Sequence, residues 1–151
     1  MRSRMMGIVL NHCLQRPKSE TMEVDALDGT HSVHSMARLE RLLGVRFKNQ
    51  ENDFLLTPDS SDYPRLSIMV KGDLAAIHYF PKDGHAGHVA LGGKMNLDPK
   101  KMTRFSIGRL DAGDTIHVPN HLIVSFSEAL EVAKEFFHSQ ELPRSIKWFE
   151  L

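Results

Sequence analysis

The chain has 151 residues, 41% of them hydrophobic and 25% charged, with Lys+Arg and Asp+Glu balanced at 19 each. That is about one domain's worth of chain, able to bury roughly two-thirds of its unfolded surface without a staple. The balance excludes the basic excess that marks nucleic-acid binders and gives no pull toward an anionic membrane. The single cysteine, Cys13, excludes an intrachain disulfide and a multi-thiolate zinc site, as in a reducing compartment.

The first residues are basic with a short apolar run, Met5-Met6-Gly7-Ile8-Val9-Leu10, that Asn11 and His12 stop after about six residues, short of the ~7–15 of a signal peptide. No stretch approaches the ~20 apolar residues of a membrane span. A cytoplasmic location is the expectation. Residues 1–29 show little periodicity, and Pro17 and Gly29 break them. They read as a loosely ordered lead-in to a domain over 30–151, with Met5, Met6 and Met22 as alternative starts.

Thr30 or Ser32 can cap a first helix over about 31–43, in which Val33, Met36, Leu39 and Leu43 recur at helical spacing and Gly44 ends the element. A short strand at Phe54–Leu56 follows, then the turn-rich Thr57–Pro64. Leu66–Lys71 and Leu74–Phe80 flank Gly72-Asp73, which predicts a tight antiparallel hairpin, because glycine supplies the positive φ that such turns need. Further short strands are expected at 88–91, 103–107, 115–118 and 121–124, between Gly, Asp and Pro punctuation.

Ser125-Phe126-Ser127-Glu128 has capping-box spacing. Ala129, Leu130, Ala133, Phe136 and Phe137 then form one apolar stripe, giving a second helix over about 126–139 that Leu142-Pro143 stops. Ile146 and Trp148 share a face of a closing strand. Together these elements predict a single α+β domain, a mainly antiparallel sheet with two helices packed on one face. Trp148 is expected to anchor the core against Phe136 or Phe137.

Chemistry-bearing patterns are sparse. Nine histidines include His85-Ala86-Gly87-His88 in a glycine-rich turn and His31 and His34 three apart. Zinc needs at least three ligands, and the sequence fixes no third; neither HExxH nor a Cys/His frame occurs. Exposed loop and helix histidines account for them as well. No GxSxG elbow, GxxxxGK[ST] or GxGxxG is present. No catalytic residue, metal or cofactor is therefore expected. One charge feature stands out: Glu51, Asp53, Asp59 and Asp62 lie in 49–64 with no Lys or Arg among them. The segment reads either as a solvated loop or as a docking surface for a basic partner.

The run from Leu66 to Phe80 resembles the "gd-a-l-y" hairpin of the first-numbered Imm family of immunity proteins from bacterial polymorphic toxin systems. Val118-Pro119, the helix from Phe126 to Phe137, Leu142-Pro143 and Ile146-Lys147-Trp148 resemble its helix with an alanine-rich face leading to P-x-x-I-x-W. The resemblance covers about 30–151; the turn at 85–88 lies outside its pattern. It implies an antidote, paired with a deaminase-type toxin or related nuclease, that occludes the toxin's active site or substrate channel. No catalytic residues carry over. The matching positions, Gly72, Asp73, Pro143 and Trp148, are structural: a hairpin turn, a helix stop and a core anchor.

A partner that handles nucleic acid must carry a basic channel, so Glu51, Asp53, Asp59, Asp62 and Tyr63 are expected near the toxin interface, with neither nucleic acid nor membrane as a partner. Two readings from other classes stand beside this one. They are a small metal- or ligand-binding enzyme built on the histidines, which metal content would reveal, and a regulatory homodimer without a toxin.

Overall fold

The structure, a computed structural model, describes residues 21–151; Cys13, Met5 and Met6 lie outside them. Alternation of apolar and polar residues dictates the strands. In β1 (Met22–Ala26) the apolar Met22, Val24 and Ala26 are buried and the acids Glu23 and Asp25 exposed, the period-two signature of a strand with one wet face. β2 (Gly29–Val33) returns beside it, with Met22 opposite Val33 and Ala26 opposite Gly29. These two strands replace the loosely ordered lead-in expected at 1–29 over its residues 22–29, while its residues 1–20 lie outside the described ones. They also shorten the first helix. Thr30 and Ser32 lie in β2, and α1 (Met36–Leu43) is capped by Ser35, whose hydroxyl accepts the Arg38 N–H at 3.1 Å.

β3 (Glu51–Pro58), β4 (Arg65–Lys71) and β5 (Leu74–Phe80) follow as a meander. Gly72, at φ +55°, turns the predicted hairpin, setting Lys71 opposite Leu74. The next strands are β6 (His88–Ala90), β7 (Met102–Ser106), β8 (Thr115–Pro119) and β9 (Val124–Ser125), and β10 (Trp148–Glu150) closes the set. α2 (Phe126–Ser139) lies between β9 and β10; Ser125 caps it through the Glu128 N–H, and Gln140, in the left-handed region, ends it. The segment 120–122 is a 3-10 turn, where a strand was expected.

The main sheet runs β10-β6-β5-β4-β3-β1-β2, with β9 beside the start of β5. Every strand pairing among the described residues is antiparallel. Both helices pack on one face, so the predicted α+β class and arrangement hold. That face buries Val24, Phe54, Leu56, Leu66, Ile68, Val70 and Ile77 against Leu39, Leu43, Ala133, Phe136 and Phe137. Burying a large apolar side chain contributes about 1.5–3 kcal/mol, which makes this layer the main source of stability. Lys134 Nζ of α2 meets Glu40 Oε1 of α1 at 3.1 Å on the solvent side.

The other face is only partly covered. The β7–β8 hairpin lies over its β3–β5 region and forms a second, smaller core of Ala76, Phe105, Val118 and Ile123, with Met69 and Leu74 against it. Among the described residues no helix is long and apolar enough to cross a membrane.

Candidate functional site

The acidic stretch 49–64 is neither one loop nor one surface. Residues 51–58 form β3, an internal strand paired to β1 and β4, which corrects both the short strand at 54–56 and the loop around it. Glu51 is 1% exposed. Its Oε1 accepts the Ser106 N–H at 3.0 Å, its Oε2 accepts the Ser106 hydroxyl at 2.7 Å, and Lys71 Nζ stands 3.9 Å away. Asp53 Oδ2 accepts the Gly108 N–H at 3.0 Å. Burial pushes the Asp53 carboxyl above the ordinary carboxylate value, and the Gly108 bond only partly opposes this. Both acids tie the β7–β8 hairpin to the sheet, so Glu51 has no free carboxylate to offer a partner.

Asp59 and Asp62, in the turn between β3 and β4, are exposed. With Glu23 and Asp25 of β1 they ring a hollow of about 470 Å³ that also holds Arg65. The two β1 acids were hidden from sequence reasoning by the lead-in assignment; the alternation in Met22-Glu23-Val24-Asp25-Ala26 was the available signal. Among the described residues Arg65 is the one cation lining the hollow. Its guanidinium lies 4.6 Å from the centre of the Tyr63 ring, and its Nε donates to the Asp62 carbonyl at 2.7 Å. Beside it, the His78 and Phe80 rings stack at 4.0 Å and 16°. Asp59, Asp62 and Tyr63 thus share one surface with Glu23 and Asp25, while Glu51 and Asp53 lie under the hairpin.

The structural residues fall at junctions. The Asp73 carbonyl accepts the Phe126 N–H at 2.8 Å, fastening the hairpin turn to the start of α2. Pro143 is buried, and its carbonyl accepts the Trp148 indole N–H at 2.7 Å. Trp148 is half-buried, and the ring it meets is Tyr79, at 6.3 Å; Tyr79 in turn stands edge-on to Phe136 at 6.1 Å. The expected contact with Phe136 or Phe137 is therefore relayed through a tyrosine.

The histidines gather differently from either reading. His31 lies in β2 and bonds Asp28 at 2.9 Å, so the helical spacing of His31 and His34 does not arise. His85 and His88 stack at 5.5 Å and face Glu150 of β10, at 3.2 and 3.9 Å. The Gly87 N–H donates to His85 Nδ1 at 2.8 Å, which leaves that ring's proton on Nε2, where it bonds Glu150 Oε1. A ring used in this way is a hydrogen-bond donor and has no lone pair free for a metal. Among the described residues no group of three or more His, Cys, Asp or Glu is placed to hold a metal ion. His78 donates from Nε2 to the Ala86 carbonyl at 2.8 Å; burial lowers its pKa, the Ala86 bond opposes this, and His88 adds to the lowering.

Known proteins contribute one further observation. Over 133 residues, 86% of this chain and 100% of the other, the sequence is 27% identical to a protein of Burkholderia cenocepacia (strain H111) named double-stranded DNA deaminase immunity protein. That relative is an immunity protein. The match takes in that protein's full length. No family model matches the chain.

Proposed function

We propose that this chain is an immunity protein that binds a deaminase toxin acting on nucleic acid and blocks it by occlusion, without catalysis of its own. The observation that carries this is the match along the whole length of a deaminase immunity protein. The resemblance of the Gly72-Asp73 hairpin and the Trp148 strand to the first-numbered Imm family points the same way, and membership of that numbered family is part of the proposal. Asp59, Asp62 and Tyr63 belong to the binding surface in this reading.

Occlusion is a physically sufficient mechanism. A deaminase must draw its target base into a closed pocket while holding the phosphate backbone on a cationic surface. A folded domain seated over either feature prevents productive binding, and it needs no reactive group to do so.

The test is to co-express this chain with the toxin encoded beside its gene and to titrate the purified proteins in a DNA deamination assay. Growth should be rescued, and deamination should fall to background at one equivalent. Full suppression at a small fraction of an equivalent would show turnover and make the chain an enzyme. Absence of both complex and protection would end the immunity reading.

A further inference from the structure

The half of the main sheet that the β7–β8 hairpin leaves uncovered is, among the described residues, an unpartnered face of graded chemistry. Strand register places Asp25, Leu55, Ser67, His78, Val89 and Phe149 in one row across five strand boundaries. In the next row Glu23 faces Thr57, and Arg65 faces Phe80. The β1 end is acidic, since Glu23, Asp25, Asp59 and Asp62 surround the hollow with Arg65 as its only cation among the described residues. The middle carries the stacked pairs Tyr63–Arg65 and His78–Phe80. The far end is apolar, with Val89 half-buried and Phe149, on edge strand β10, 56% exposed.

Charge decides what this face fits. Four carboxylates share the lining of the hollow with one guanidinium, which is already stacked on Tyr63 and bonded to the Asp62 carbonyl. In a chain of zero net charge this is, among the described residues, a local excess of negative charge, which a basic surface of a partner complements. The stacked and exposed rings beside it are of the residue types that anchor protein interfaces.

We infer that the open half of the sheet is the docking surface for the toxin, and that it seats the toxin's basic, DNA-contacting face. Glu23, Asp25, Asp59 and Asp62 occupy the places of DNA phosphates, and Phe80 and Phe149, in adjacent rows, supply apolar anchors. This rests on the immunity reading above. The surface is distinct from the acidic stretch read in the sequence, because it excludes the hairpin-bound Glu51 and Asp53 and adds two strands, β1 and β10, from the two ends of the described chain.

Binding kinetics with the deaminase domain of the neighbouring toxin test the assignment. Glu23→Lys/Asp62→Lys should slow association about tenfold at low salt and flatten its salt dependence, since steering by peripheral charge acts on the on-rate. Phe149→Ser should speed dissociation about tenfold, because anchors act on the off-rate. The control Asp111→Lys/Glu131→Lys, with the same charge change elsewhere, should stay within about twofold of the parent. Excess duplex DNA should compete with the parent for the toxin. Unchanged denaturation midpoints establish that the variants are folded, and Phe149, being largely exposed, provides a second probe if the double reversal disturbs β1. If the parent binds and the face variants bind equally well, or DNA does not compete, the assignment is wrong while the immunity reading stands. If the parent does not bind the toxin, the immunity reading itself fails. Concentration-dependent dimerisation of the parent that Phe149→Ser abolishes would instead make this face a self-interface and overturn the assignment.

Discussion

Glu51 and Ser106 are 55 residues apart in the chain, yet one carboxylate takes both the backbone N–H and the hydroxyl of that serine, at 3.0 and 2.7 Å. Glu51 is almost wholly buried, so the pair is a fixed joint between β3 and the β7–β8 hairpin. Glu51→Ala would strand the two Ser106 donors and leave Lys71 without its anion, a loss of about 2–3 kcal/mol. Glu51→Gln, which keeps one acceptor, should lose less. Denaturation gives the magnitudes, and amide exchange should locate the first loosening in 102–106 and 115–119.

Asp53, next to that joint, gives a pH dependence of opposite sense to the usual carboxylate. Burial raises its pKa in the folded protein above the unfolded value. Between those two values the folded state holds a proton that the unfolded state has released, so stability falls as pH rises through that window. Asp53→Asn removes the penalty and still presents an oxygen to the Gly108 N–H. It should be more stable than the parent at neutral pH, with the advantage vanishing below the ordinary carboxylate pKa. Urea midpoints measured across that range check the crossover.

Glu135 behaves in the conventional way. Burial pushes its pKa up, but bonds from the Arg144 and Ser145 backbones, the Ser145 hydroxyl and the Arg144 charge outweigh it and hold the carboxyl below the ordinary value. This contribution is complete above the unfolded pKa and is lost as pH falls through the lowered folded one. Glu135→Gln should cost about 1 kcal/mol at neutral pH. The gap to the parent should close on acidification, as read by denaturation midpoints.

Trp148 is the single tryptophan, so its fluorescence reports its own site. Trp148→Ala removes the ring against Tyr79 and the bond to the Pro143 carbonyl, a loss of about 3 kcal/mol. Trp148→Phe keeps most of the packing and should lose about 1 kcal/mol, the worth of one hydrogen bond. A midpoint unmoved in the alanine variant would place this ring outside the core.

What was legible in the sequence was local. The Gly72-Asp73 turn, the Ser125 cap and the stripe from Ala129 to Phe137 each depend on neighbours within a few residues, and each formed where expected. Val33 and Met36 misled because three-residue spacing also occurs by chance across the boundary between a strand and a helix; Ser35, not Thr30 or Ser32, stands just before the first turn and accepts the Arg38 N–H. The acids at 51–62 carried a charge signal but no partner signal. Ser106 and Gly108 decide that Glu51 and Asp53 turn inward, and no local pattern links positions so far apart. The acidic hollow escaped for the same reason, since Glu23 and Asp25 reach Asp59 and Asp62 only through the pairing of β1 with β3.

The meander β3-β4-β5-β6 pairs neighbours in chain order, so its registers can be set by short loop closures early in folding. The helix-facing side of that meander carries Phe54, Leu66, Ile68 and Ile77, and its main cover, α2, is not synthesised until residues 126–139. A ribosome-bound chain therefore displays an apolar sheet face covered only by α1 for some fifty residues of synthesis after β5 has formed. During that interval the chain is most exposed to aggregation and to chaperone capture, and α2 together with β10 ends it.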